Sequence, residues 1–254
     1  MKILLLVLIP FIASFITKKR TGSFYKAYYL SPKHKAYLEK YFEFYQKLPP
    51  QSKHIFSKRV AAFMTTKKFI PRQMRYVSWE MRVLISASAI QMTFGFPKVH
   101  LSFFRYILVF PESFYSKSTG QLHKGEVNPR VKTIALSWAD FVEGYLSPDG
   151  RNLGLHEMAH ALRLENRIRN EEYDFLDQQI LKEWEKIAVT TMAEINNGQE
   201  TFFREYGGVD NEEFFAVAVE NFFERPLEFR EKHPKTYSTL CRLLQQDPTL
   251  LEKA

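Results

Sequence analysis

Residues 152–166 read NLGLHEMAHALRLEN and contain the pattern His-Glu-x-x-His at His156, Glu157 and His160. On a helix, residues four apart lie on the same face, so the two imidazoles point to one place. Two such imidazoles are typical ligands of zinc, and the glutamate between them can take a proton from a metal-activated water. The apolar flanks indicate a buried helix, where two histidines without partners would be costly. We therefore expect a zinc site here, and the alternative is a surface helix with two incidental histidines.

A third protein ligand has to come from another part of the chain. Asn166 stands where the metzincins carry a further histidine, and Cys241 lies downstream of the pattern, whereas the deformylases use a cysteine upstream of it. Glu165 is on the same helix but is turned off the histidine face. The glutamates that follow have charged neighbours and are expected in solvent: Glu171, Glu172, Glu183 and Glu185.

The segment NEEFFAVAVENFFE at 211–224 predicts a helix that carries two carboxylates on one face. Glu213 and Glu220 are two helical turns apart, and the rest of the segment is almost wholly apolar. Buried carboxylates need a cation or hydrogen bonds. We expect Glu213 to be the third zinc ligand and Glu220 to orient a histidine from behind. The alternative is that both carboxylates cap the helix or pair with arginines.

A tyrosine precedes this helix in the stretch REYGGVDNEEFF. Tyr206 is placed to donate a phenol hydrogen bond to an oxyanion in the transition state. Together with Glu157 as general base, the residues predict peptide hydrolysis at a zinc ion.

The remaining sequence predicts an α+β fold, mostly helical, with a small β-sheet before the His-Glu-x-x-His helix. Helical patterns cover residues 31–66, interrupted at LPPQS, and continue over 78–95, 171–195 and 233–248. Strand patterns lie between residues 105 and 137. We expect one domain over residues 21–254, with a helical N-terminal part at about 31–100 and a catalytic part at about 101–254.

The N-terminus is apolar and then basic. Residues 3–17 carry no charge, Lys18, Lys19 and Arg20 follow, and residues 1–80 contain 16 Lys+Arg against 3 Asp+Glu. We expect residues 1–20 to anchor a cytoplasmic protein to the inner face of the membrane, with anionic lipid contacts rather than nucleic acid as the role of the basic segment. A cleaved export signal and an apolar helix packed on the protein are the alternatives.

Two separated motifs, LHEMAHAL and YGGVDNEEFFAVAVENFFERP, resemble the zinc-dependent peptidases related to Mlc titration factor A. The resemblance runs from about residue 107 to 248 and includes ALSWADF and QQDP. It implies a zincin-like α+β core, aminopeptidase-like activity and these roles: zinc ligands His156, His160 and Glu213, general base Glu157, and transition-state stabiliser Tyr206.

The chain departs from this family at Arg163, where members often carry an aspartate. If that aspartate orients a ligand or a loop, another group has to replace it, and Glu165 is a candidate. The family's namesake binds a transcriptional repressor of glucose uptake. The sequence thus leaves two functions open, a zinc-dependent peptidase acting on a peptide or protein, and a regulatory binding protein of the same fold that sequesters a repressor or other partner.

Overall fold

The computed structural model describes residues 29–116 and 119–251, and it begins with three helices. They are α1 (Pro32–Tyr41), α2 (Glu43–Lys47) and α3 (Pro50–Thr66). The sequence predicted one helix over 33–47, but the backbone of Phe42 is extended and divides it (φ −126°, ψ 92°). The break places the Phe42 ring in the core, 5.2 Å from the ring of Tyr145. Burial of this large apolar side chain outweighs the continuous helical pattern.

A small mixed sheet follows, and it supports the site. Its strands are β1 (Lys68–Pro71), β2 (Tyr106–Phe110), β5 (Gly125–Asn128) and β6 (Thr133–Ser137), while β3 (Phe114–Tyr115) pairs with β4 (Leu122–His123). Among the described residues the order in the sheet is β1-β2-β6-β5. β2 runs parallel to β1 and β6, whereas β5 runs antiparallel to β6 and forms an edge. The sequence predicted β2, β5 and β6 but not β1.

Further helices pack on this sheet and on one another. They are α4 (Trp79–Thr93), α5 (Trp138–Glu143), α6 (Leu153–Arg167), α7 (Gln178–Asn196), α8 (Asn211–Glu224), α9 (Pro226–Lys232) and α10 (Pro234–Leu244). The predicted start of α7 at Glu171 is wrong. Asp177 caps this helix by accepting hydrogen bonds from Gln179 N (2.8 Å) and Ile180 N (3.0 Å), so the chain ahead of it remains a turn.

The α+β class predicted from the sequence is therefore confirmed, since helices dominate and the sheet is small. One continuous core runs from Leu30 to Leu244. At its centre α6 packs on α8, whose Phe214, Phe215 and Phe222 are fully buried. Burying an aromatic side chain of this size stabilises a fold by about 2–3 kcal/mol. The α6–α8 contact is thus held rigidly, and this is the contact that carries the site.

The predicted membrane anchor at residues 1–20 lies outside the described residues. Within residues 29–116 and 119–251, every helix is too short or too polar to cross a membrane.

Candidate metal centre

Three side chains from α6 and α8 meet at one point. His156 Nε2 lies 3.1 Å from His160 Nε2, and Glu213 Oε2 lies 3.1 Å from the first nitrogen and 3.5 Å from the second. Both ring nitrogens come from one face of α6, as the four-residue spacing predicted. The carboxylate comes from the first turn of α8. The structure therefore brings together the three residues that the sequence proposed as metal ligands.

The helix ends fix where these ligands stand. Asn152 caps α6 by accepting a hydrogen bond from Leu155 N (3.0 Å), one turn before His156. Asp210 caps α8 by accepting from Glu213 N (2.9 Å). Each cap sets the first residue of its helix, and with it the rotation of the ligand side chains about the helix axis.

The spacing of the three atoms fits a bound metal ion. Zinc holds nitrogen and oxygen ligands at about 2.0–2.2 Å in a tetrahedron, which places neighbouring ligand atoms about 3.3–3.6 Å apart. The observed separations of 3.1–3.5 Å are close to this range. Glu213 Oε2 is buried and makes no hydrogen bond within the described part of the chain. A buried carboxylate oxygen facing two ring nitrogens is the donor set that a divalent cation takes.

The charge of Glu213 is maintained by its surroundings. Burial acts to raise the pKa of this carboxyl, but the neighbouring His156 and His160 outweigh burial and hold the pKa well below its usual value. Glu213 is therefore an anion at any pH where the histidines could bind a metal, as a carboxylate ligand must be.

Glu157 lies beside the cluster and against the edge strand. It is almost fully buried, and burial raises its pKa, an effect that the two histidines partly offset. A Cβ atom on Gly125, the first residue of β5, would lie 2.2 Å from Glu157 Oε1 and 2.4 Å from Cδ. The carboxyl group thus occupies the space that a side chain would fill. A raised pKa suits a group that has to accept a proton and then release it.

Glu220 stands behind His156. Its Oε1 lies 2.7 Å from His156 Nδ1, and its Oε2 accepts a hydrogen bond from Asn152 N at 2.6 Å. The residue is 1% exposed. A carboxylate on the far nitrogen of an imidazole fixes the ring orientation and keeps the proton on Nδ1, which leaves Nε2 free to bind a metal.

The loop between α7 and α8 brings two more side chains to the site. Tyr206 lies in a 3₁₀ turn (Glu205–Gly208), and its ring centre is 5.9 Å from that of His156. Burial and the Glu213 carboxylate raise the pKa of Tyr206 to about 12, so its hydroxyl keeps its proton at neutral pH and can donate it in a hydrogen bond. Arg204, two residues earlier, forms a two-pronged ion pair with Glu220, with both nitrogen–oxygen distances at 2.7 Å.

A cleft of about 480 Å³ opens over these residues. Its lining includes His156, Glu157 and Tyr206, together with Gly125 of the edge strand. The lining also carries charges of both signs, including an ion pair between Lys124 and Asp140 (2.6 Å). The cleft can therefore admit a polar chain as far as His156 and Glu157.

The departure at Arg163 has a structural explanation. Arg163 is 3% exposed, and its guanidinium lies 3.1 Å from Glu212 of α8 and packs over the Phe215 ring. Glu165 does not take a place at the metal cluster, because it accepts hydrogen bonds from Phe103 N (3.0 Å) and Asn170 in the loops ahead of β2 and α7. The arginine joins the same two helices that carry the ligands, at a point away from the cleft.

Two of the predictions about other glutamates need correction. From its place near the start of the segment 211–224, Glu212 is expected to be exposed, where negative charge is mildly favourable, but it is the partner of Arg163 and Arg167. Glu172 was expected in solvent, but it accepts hydrogen bonds from His100 N (2.9 Å) and Ser102 N (3.3 Å). The partners of both carboxylates lie in segments distant along the chain, so local composition does not predict these contacts.

Sequence reasoning missed Arg204, Asn152 and Gly125. A basic residue inside the aromatic stretch FFREYGG and a glycine at the start of a strand were signals that could have been followed. Asn152 immediately before the apolar helix is a standard capping signal, but nothing local indicates its backbone bond to Glu220.

Comparison with known proteins agrees with this geometry. The family model of the glucose-regulated metallo-peptidase M90 matches residues 16–245, which extends the likeness through the N-terminal helices. An uncharacterized protein of Synechocystis is 24% identical over 239 residues, covering 87% of this chain and 86% of that protein. Mlc titration factor A of Escherichia coli O7:K1 is 27% identical over 210 residues (73% of this chain, 76% of that protein), and the Shigella flexneri serotype 5b protein of that name matches equally well. The chain therefore belongs to the M90 family of glucose-regulated metallo-peptidases.

Proposed function

We propose that this protein is a zinc-dependent peptidase with a zincin-like fold. The observation that carries the proposal is the convergence of His156, His160 and Glu213 at metal-ligand spacing, with a buried carboxyl group, Glu157, beside them. Membership of a metallo-peptidase family supports a metal at this position. Zinc suits two imidazoles and one carboxylate with an open fourth position.

Each residue at the cluster has a part in the proposed hydrolysis. A zinc ion held there would supply an activated water and a positive charge beside the scissile carbonyl. Glu157 accepts the proton of the attacking water and delivers it to the leaving amine. Tyr206 donates a hydrogen bond to the oxyanion that develops on the carbonyl oxygen. Glu220 holds His156 in the orientation that presents Nε2 to the metal.

The edge strand supplies a binding mode for the substrate. β5 forms an edge of the described sheet and begins at Gly125, next to the Glu157 carboxyl. An extended peptide could add to this edge as a further strand, which would bring its backbone carbonyl over the cluster. We propose an extended peptide or protein segment as the substrate, with the aminopeptidase-like cleavage that the family resemblance implies.

The decisive experiment is the substitution Glu157→Gln in the full chain. Glutamine has nearly the same shape but cannot accept the proton, so cleavage of a peptide library should disappear while zinc content stays at the wild-type level. Retention of cleavage by this variant would refute the mechanism. Peptides with a free or an acetylated N-terminus separate aminopeptidase from endopeptidase action.

A second candidate function is sequestration of a protein partner, and the name of the Mlc titration factor A relatives favours it. In this role the fold would bind a partner such as a transcriptional repressor without cleaving it. The peptide-library assay separates the two functions. Wild-type protein with zinc fully bound that cleaves no peptide would favour binding.

A further inference from the structure

Arg204 lies beside the site, and the proposed hydrolysis gives it no role. Its Nη1 lies 2.7 Å from Glu220 Oε2, and its Nη2 lies 2.7 Å from Glu220 Oε1 and, in a longer contact, 3.4 Å from His156 Nδ1. Nη1 also donates to Gly150 O at 3.0 Å, in the turn just ahead of α6. One guanidinium therefore connects the α7–α8 loop, α8 and the segment that begins the metal-binding helix.

The guanidinium pairs with the Glu220 carboxylate, which is buried away from solvent. Glu220 is 1% exposed, and its two oxygens already contact His156 Nδ1 and Asn152 N. A buried carboxylate without a compensating cation is costly in free energy. The planar, two-pronged pairing with arginine both compensates the charge and fixes the plane of the carboxylate.

We propose that Arg204 is a positioning residue for the metal ligand His156 and acts through Glu220. By holding Glu220 as an oriented anion, it keeps the His156 ring in the rotation that presents Nε2 to the metal. The inference rests on the proposed function for the presence of a metal at this cluster. It goes further, because it makes the metal affinity of the site depend on Arg204, which is not one of the proposed ligands.

The same side chain connects His156, the proposed metal ligand, with Tyr206, the proposed oxyanion donor. Tyr206 follows Arg204 by two residues, and the guanidinium centre lies 5.8 Å from the Tyr206 ring centre. The ion pair with Glu220 thus also fixes the start of the turn that carries the phenol. Loss of Arg204 releases both His156 and Tyr206, so it affects metal affinity and catalysis at saturating metal.

The test compares Arg204→Gln and Arg204→Lys with a matched control, Arg163→Gln. Arg163 is likewise an arginine that pairs with a glutamate of α8, but its partner Glu212 has no contact with a histidine of the cluster. Zinc dissociation constants are measured on the purified full chain by competition with a chromophoric chelator, and the absorption spectrum of bound Co²⁺ reports ligand geometry.

We expect Arg204→Gln to weaken zinc about 10–100-fold, as loss of groups that orient a metal ligand does. Arg204→Lys should fall between this variant and the wild type, because lysine keeps the charge but not the two-pronged geometry. Arg163→Gln should bind zinc like the wild type despite lower stability. The Co²⁺ spectrum should change only in the Arg204 variants.

A double-mutant cycle with Glu220→Gln tests whether Arg204 affects zinc affinity through Glu220. If Arg204 acts through Glu220, Arg204→Gln adds little to the loss of zinc affinity already caused by Glu220→Gln. Full additivity would overturn the inference, and so would a folded Arg204→Gln protein that binds zinc within twofold of Arg163→Gln. Should Arg204→Gln not fold, Arg204→Lys with wild-type affinity and spectrum is the contrary result. Wild-type protein that binds no metal would instead defeat the proposed function.

Discussion

Substitution of Gly125 gives the sharpest test of the proposed role of Glu157 as general base. In Gly125→Ala the new Cβ would lie 2.2 Å from Glu157 Oε1 and 2.5 Å from Cγ, whereas ordinary contact begins at 3.4 Å. The end of the Glu157 side chain therefore has to retreat by about 1 Å. A displacement of this size in a reacting group lowers the rate on the order of 100-fold.

The three proposed zinc ligands are untouched by this substitution, so zinc content should stay at the wild-type level. Stability should change by less than about 1 kcal/mol, because alanine restricts the unfolded chain and the Glu157 side chain can rotate away. The assay is kcat/KM on a cleavable peptide, together with zinc content and chemical denaturation. Gly207→Ala is the matched control, since the nearest atom to its Cβ would be Val217 Cγ1 at 3.4 Å.

Gly125→Ala and Glu157→Gln act on the same carboxyl group, so the loss of activity in Gly125→Ala should be smaller than the loss in Glu157→Gln. A Gly125→Ala enzyme with wild-type kcat/KM would refute the placement of Glu157 as the base. Loss of zinc in this variant would show that the edge strand supports the ligands rather than the base.

Four other predictions follow from the contacts described above. Tyr206→Phe should lower kcat about 100- to 1,000-fold at unchanged zinc content, because the proposed oxyanion donor is lost. Tyr206 is half-exposed, so its hydroxyl should contribute little to stability. Glu212→Gln should destabilise the fold by about 3–5 kcal/mol in urea, more than Arg163→Met, because it leaves the buried Arg163 guanidinium without its counter-charge. Glu224, the last residue of α8, accepts hydrogen bonds from Gly150 N (2.8 Å) and Asn152 Nδ2 (2.9 Å), and burial raises its pKa to about 7. Folding therefore favours its protonated form, and the free energy of unfolding should fall as pH rises from about 5 to 8. Glu224→Gln should reduce that fall, by at most about 3 kcal/mol. Removing metal with a chelator should lower Tm, and zinc at 100 times its Kd should restore about 2.7 kcal/mol of stability, because the ligands join α6 to α8.

Several elements could be predicted from local sequence because their physical causes are local. The four-residue spacing of His156 and His160 dictates a shared helical face, and α8 begins and ends where the apolar segment and its Asp210 cap place it. The strands β2 and β6 follow from short apolar runs bounded by turn residues. Tertiary packing overrode the pattern at Phe42, where a buried ring ends a helix that the spacing would continue.

The sequence by itself determined which residue types could form a metal site and on which helix faces they stand, since helical periodicity is a property of the backbone. Only the tertiary structure decided that α6 and α8 approach closely enough for Glu213 to meet the two histidines. It also decided that Arg204 compensates Glu220 and that Arg163 pairs with Glu212. These contacts join residues between 16 and 57 positions apart, and their geometry depends on how whole helices and loops pack. The local sequence around each residue therefore does not predict that packing.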